Sequence, residues 1–140
     1  VGAELAERGL VCAATDITGF GLLGHLASMC RASGVSAEIF ANDVPAISKE
    51  IFGLIERDCL PGGTRQNLKT TRDTTDWKKV SGPQKLLLSD AQTSGGLLLA
   101  VSPRRLDAVL GLLVKWKTPS RAVIGKITTR RRHLITVCTP

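Results

Sequence analysis

Asp16 is the residue in this sequence best placed to do chemistry. It is flanked by Thr15 and Thr18, and Gly19, Gly21 and Gly24 follow as the chain runs into an apolar helical pattern. One carboxylate, two hydroxyls and unshielded backbone N–H groups beside the positive end of a helix make a natural setting for phosphate. A hard cation can bridge such an acid to the phosphate, because Mg²⁺ commonly takes one or two protein carboxylates and completes its shell with water and substrate oxygens. The same residues also suit a plain N-cap, in which Asp or Thr accepts from a first-turn N–H and contributes about 1 kcal/mol. Composition and periodicity leave both readings open.

Two further stretches carry unusual polarity. In Leu60-Pro-Gly-Gly-Thr-Arg-Gln-Asn67, Pro61 and the two glycines read as a tight turn, with Thr64 the expected N-cap of a short helix through Lys69. Between Leu86 and Val101 a hydrophobic run is cut by Asp90, Gln92, Thr93 and Ser94 and then resumes as a strand. Polar groups between two core segments need hydrogen-bond partners or solvent. An active-site wall and a satisfied structural turn would both supply them.

The elements that must hold these stretches follow from periodicity. A helix already under way spans Val1 to Gly9, and a short strand from Val11 ends at Asp16. The next helix runs from about Gly19 to Ala32. Its apolar row is Leu22, Leu26 and Met29, widened by Phe20, Leu23, Ala27 and Cys30, and Gly21, Gly24 and Ser28 form a small-residue face. His25 borders that face; a single helical histidine is expected to be structural or solvated, and it is left out of the site. Gly34 closes the helix, and Val35 to Phe40 alternates as a strand. A helix is expected over Ile47 to Arg57, with Ile47, Ile51, Leu54 and Ile55 inward. Thr70 to Gly82 reads as a polar surface loop anchored by Trp77. Ser102-Pro103 starts a helix reaching about Trp116. Ala122–Thr128 and His133–Val137 are expected to pair as an antiparallel hairpin around Arg130 to Arg132, with Gly125 marking a bulge. The sum is an α+β domain, a mixed sheet of four to five strands covered by helices, forming one domain over residues 1–140.

Composition narrows the class. With 140 residues, 43% of them hydrophobic, the chain can bury a core. No apolar run approaches the roughly 20 residues a membrane span needs. The absence of a visible leader and the mid-helix opening make a piece of a longer, cytoplasmic protein the expectation. Four scattered cysteines without a C-x-x-C pair argue against a metal cluster or disulfide framework, and each is expected to be a small buried hydrophobe. The net charge of +7 suits polyanionic partners, but the positive residues are dispersed and only three Phe, two Trp and no Tyr are present for base stacking. That balance weighs against nucleic acid.

Taken together, Thr15-Asp-Ile-Thr-Gly-Phe-Gly-Leu-Leu-Gly-His25, Leu60–Asn67 and Asp90-Ala-Gln-Thr-Ser-Gly-Gly-Leu97, in this order and spacing, resemble the C-terminal half of the selenophosphate synthetases (selenide, water dikinases). That family lies within the aminoimidazole-ribonucleotide-synthetase-like superfamily, and the resemblance extends to Ala122-Val-Ile-Gly-Lys126. It implies an ATP-dependent reaction in which selenide and water yield selenophosphate, AMP and phosphate. It implies a Mg²⁺ ligand at Asp16, with Thr18 and Gly19 facing phosphate. It further implies an absent N-terminal domain carrying the Cys or selenocysteine and most ATP contacts, and a homodimer at full length. Ala91 and Ile17 depart from the family pattern and leave the polar positions intact. Other enzymes of the superfamily, such as thiamine-monophosphate kinases or hydrogenase-maturation proteins, and a non-catalytic module from a degenerate paralogue, are the competing readings.

Overall fold

The computed structural model describes residues 1–139, so Pro140 of the expected 1–140 domain lies outside the described residues. In chain order the elements are α1 (Gly2–Glu7), β1 (Ala13–Asp16), α2 (Gly21–Ala32), β2 (Val35–Phe40), α3 (Glu50–Glu56), α4 (Gly62–Thr70), β3 (Thr75–Lys78), α5 (Gly82–Leu88), β4 (Leu97–Ala100), α6 (Leu106–Lys115), β5 (Gly125–Thr129) and β6 (Ile135–Cys138). Single 3-10 turns lie at Ala41–Asp43 and Pro103–Arg105.

The strands form a four-stranded sheet in the order β3-β6-β2-β5 and a separate ribbon of β1 with β4. In the sheet β6 runs parallel to both β2 and β3, while β5 runs antiparallel to β2. The architecture is therefore α+β with a mixed sheet, as expected. The hairpin is not formed. β5 and β6 flank β2 on opposite sides, because β2 is the buried central strand that both apolar runs can cover. Arg130 to Arg132 cross the end of β2, where the Arg131 amide donates to Ser36 Oγ at 2.9 Å. Gly125 sits in regular register opposite Ile39, and a side chain there would strike the Glu38 carbonyl, so close approach rather than a bulge explains the glycine.

α2 lies on the main core. Leu23, Leu26, Ala27 and Cys30 pack with Ala37 and Ile39 of β2, Ile135 and Val137 of β6, and Leu88 of α5. The buried stripe keeps Leu26 of the expected row and the widening residues Leu23, Ala27 and Cys30, whereas Leu22 and Met29 are half-buried and Phe20 is 70% exposed. A smaller core joins Leu5 of α1 to Val109 and Leu112 of α6. Strand alternation lets β4 serve both cores, with Leu98 packed on the first and Leu99 on the second. This wedges the β1–β4 ribbon between two hydrophobic layers and fixes the strand that ends at Asp16.

Other expectations fail for local reasons. α3 begins at Glu50, Ile47 is fully exposed, and only Ile55 of the four isoleucine and leucine positions is buried. The 70–82 stretch contains β3, whose partner β6 lies some 60 residues away, and ends in Ser81, which forms a capping box with Gln84. Cys12 and Cys59 are exposed, Cys138 is half-buried, and only Cys30 is buried, where desolvation raises its thiol pKa. No described helix is long and apolar enough to cross a membrane.

Just beyond α6, Trp116 Nε1–H donates to Glu4 of α1 at 2.6 Å, and that bond holds the Glu4 carboxyl below its ordinary value, with Arg8 and Lys115 acting in the same sense against partial desolvation. A depressed carboxyl pKa stabilises the fold above the unfolded-state value, and the contribution disappears as pH falls through the folded-state value. The Trp116→Phe variant is therefore expected to lose stability at neutral pH but to show a flatter acid limb. Urea unfolding between neutral and acidic pH checks this, and an unchanged acid limb would contradict it.

Candidate functional site

The three unusual stretches meet around the loop that joins β1 to α2. Asn67, on α4 and 9% exposed, donates from Nδ2 to the carbonyls of Gly19 at 2.8 Å and Ser89 at 3.1 Å. Thr18 O accepts from the backbone N–H of Gln92 at 3.2 Å and of Gly21 at 2.9 Å, and the Ile17 amide donates to Gly96 O at 2.9 Å. The loop Ile17–Phe20 is thereby tied to the 89–96 segment and to α4. Two glycines make this possible. Gly21 has φ +66°, and a Cβ there would lie 2.8 Å from the Ser89 carbonyl; a Cβ on Gly95 would collide with the Ile17 carbonyl. The expected small-residue face is thus realised at Gly21 alone, since Gly24 meets only the Cβ of Phe20 and Ser28 is exposed.

Thr64 is not an N-cap. α4 starts two residues earlier behind Pro61, and Thr64 is wholly buried. Its Oγ1 donates to Asp90 Oδ1 at 2.6 Å and accepts from the Ala91 amide at 3.2 Å, while Gln92 Nε2 donates to Asp90 Oδ2 at 2.7 Å. Both Asp90 oxygens are occupied, so of the two readings for that polar insert the satisfied structural turn describes Asp90 and Gln92. Their role is to build the wall against which the β1–α2 loop rests.

Asp16 differs in each respect. It is the last residue of β1, opposite Leu97, its side chain is exposed, and among the described residues it forms no ion pair. Thr18 and Gly19 are exposed in the loop beyond it. The simple capping reading does not hold, because α2 has Phe20 at its N-cap and no side-chain cap. His25, set aside in the sequence, reaches back to this loop: its Nε2 lies 3.1 Å from Thr18 N and 3.0 Å from Thr18 Oγ1. The signal was present only as a polar residue one turn inside the helix, seven positions from Thr18.

No group of three or more His, Cys, Asp or Glu able to hold a metal exists among the described residues. One free carboxylate beside exposed threonine and glycine still fits the way Mg²⁺ is bound with a polyphosphate, one or two protein carboxylates with substrate oxygens and water. By itself that donor set would supply at most one side of such a site.

Residues 1–138 match the family described as AIR synthase related protein, C-terminal domain. The chain belongs to that family. It is similar to the protein named "Selenide, water dikinase" from Sulfurovum sp. (strain NBC37-1), 38% identical over 141 residues that cover 98% of this chain and 39% of the relative. The protein of the same name from Sulfurimonas denitrificans is 39% identical, with 97% and 38% covered, and that from Pasteurella multocida is 44% identical, with 72% and 28% covered. The chain spans about two fifths of the first two relatives and less of the third. Among solved structures, thiamine-monophosphate kinase from Stenotrophomonas maltophilia K279a aligns with TM-score 0.60 at 17% identity, covering 98% of this chain and 34% of that one. T. maritima PurL complexed with FGAR aligns with TM-score 0.55 at 15% identity, covering 90% and 15%. These two share the fold.

If Asn67 laces the site, its loss must cost more than the loss of an idle polar atom beside it. Asn67→Ala strands the buried Ser89 carbonyl and leaves that of exposed Gly19 to solvent, and is expected to destabilise the chain by about 1–3 kcal/mol. Ser89→Ala removes a buried hydroxyl that has no partner and is expected to be neutral or stabilising. Urea unfolding of both variants separates them, and equal losses would contradict the lacing.

Proposed function

We propose that this chain is the C-terminal domain of a selenide, water dikinase, contributing Asp16 as a Mg²⁺ ligand to the ATP-dependent formation of selenophosphate from selenide and water, with AMP and phosphate as the other products. The observation that carries the reading is a conjunction. Relatives of that name match nearly the whole chain at about 38–39% identity, and the three stretches of resemblance converge on one loop beside one unpartnered acid.

Phosphoryl transfer asks the protein for positioning and charge neutralisation more than for covalent chemistry. Asp16 and the partner domain would hold Mg²⁺, which when bound neutralises charge on the polyphosphate. Thr18 and Gly19 face phosphate from this side. Asn67, Thr64 and Asp90 keep that loop from shifting. No cysteine of this chain is assigned a role in the reaction: Cys30 is buried with its thiol pKa raised by desolvation, and Cys59 and Cys138 lie against backbone carbonyls. The redox group belongs to the N-terminal domain of the same polypeptide. That domain is the main partner, and the complete enzyme is a cytoplasmic homodimer.

In the full-length enzyme Asp16→Ala is expected to lower selenide-dependent AMP release by about a hundredfold or more, the scale for removing one preorganised charge-stabilising group, with an unchanged unfolding midpoint. The 140-residue chain alone is expected to release no AMP. Wild-type turnover by the variant would remove Asp16 from the site, and turnover by the chain alone would overturn the division into two half-sites.

A further inference from the structure

The contact between His25 and Thr18 has a defined protonation. A backbone amide nitrogen carries its hydrogen, so across the 3.1 Å to Nε2 the Thr18 N–H can only donate. Nε2 must present its lone pair, which puts the ring proton on Nδ1 and leaves the imidazole uncharged. An sp² nitrogen has one in-plane lone pair. With Nε2 able only to accept, the Thr18 hydroxyl, 3.0 Å away, donates to it beside the amide in a three-centre contact, so the ring holds both the backbone and the side chain of Thr18. Phe20 packs against the ring with centroids 5.9 Å apart and planes inclined at 60°, a favourable tilted aromatic arrangement. A ring with its proton on Nε2 would set N–H against N–H and release the loop.

We infer that His25, as the neutral Nδ1–H tautomer, is a positioning residue that fixes Thr18, and with it the phosphate-facing loop between β1 and α2. This rests on the reading of the β1–α2 loop as the phosphate-facing side of the site. His25 touches no substrate in this scheme; it acts through Thr18. The peptide unit between Ile17 and Thr18 is thereby clamped from two sides, by His25 on the Thr18 N–H and by Gly95 packed against the Ile17 carbonyl.

Two measurements test it. In ¹⁵N-labelled chain, two-bond ¹H–¹⁵N correlation of the His25 ring is expected to show an unprotonated Nε2 and a protonated Nδ1, with a Thr18 amide slow to exchange. The opposite tautomer, or a Thr18 amide exchanging at an unprotected rate, overturns the inference. In the full-length enzyme His25→Leu, which keeps bulk and loses the acceptor, is expected to raise the KM for Mg-ATP about tenfold, the scale of one unsatisfied donor. His25→Gln, whose Oε1 can accept from Thr18, is expected to recover most of that loss. A Leu variant equal to wild type, or a Gln variant as impaired as Leu, also overturns it. Failure of the wider functional reading looks different: Asp16→Ala would then turn over normally while the ring kept the tautomer assigned here.

Discussion

Asn67 has two amide hydrogens and commits both to carbonyls of distant chain, Gly19 in the loop before α2 and Ser89 at the end of α5. The buried Ser89 carbonyl needs a partner, and the same side chain reaches the carbonyl of exposed Gly19. The bidentate tie adds to the backbone bonds that already join the two segments, Gln92 N–H to Thr18 O and Ile17 N–H to Gly96 O. Gly21 and Gly95 let the loops approach to within backbone contact, and the Thr64–Asp90–Gln92 network keeps the second loop rigid. The rest of the site is a consequence of that closure.

The closure leaves Asp16 out. Every other polar side chain argued to matter here is bonded within the chain, whereas the Asp16 carboxylate is exposed at the rim of a ribbon fixed between two hydrophobic clusters. An acid held by rigid backbone but free at its oxygens can ligate a cation without reorganising, which is the condition for electrostatic stabilisation to be effective. A single ligand of this kind makes sense in a site completed from elsewhere. The chain's share of its relatives' length, about two fifths, accords with such a division.

Much of this was legible in the residues, and the misses have physical causes. β1, α2 and β2 follow from local periodicity, so they stood out; after Pro103 a 3-10 turn comes first, α6 begins only at Leu106, and Ser102 makes no side-chain cap. β3 did not stand out, because Thr75-Asp-Trp-Lys78 carries little apolar alternation and is a strand only by pairing with β6 far along the chain. The supposed hairpin failed for the same reason: two β-rich runs joined by a short basic link look paired, and nothing local reveals that β2 lies between them. Thr64 was correctly singled out and wrongly explained, since a buried threonine bonding an aspartate 26 residues on resembles an N-cap in sequence. The His25–Thr18 bond was not legible because its partner lies across a turn whose geometry depends on Gly21. The resemblance of three separated stretches carried what periodicity could not, namely that they belong together.

The most direct measurement of the central claim is a crystal structure of the full-length protein with Mg²⁺ and a non-hydrolysable ATP analogue. The account predicts a carboxylate oxygen of Asp16 at about 2.1 Å from a metal ion that also binds phosphate oxygens, with the Asn67 bonds to Gly19 and Ser89 intact. An Asp16 side chain remote from every ion and nucleotide atom in that complex would contradict it.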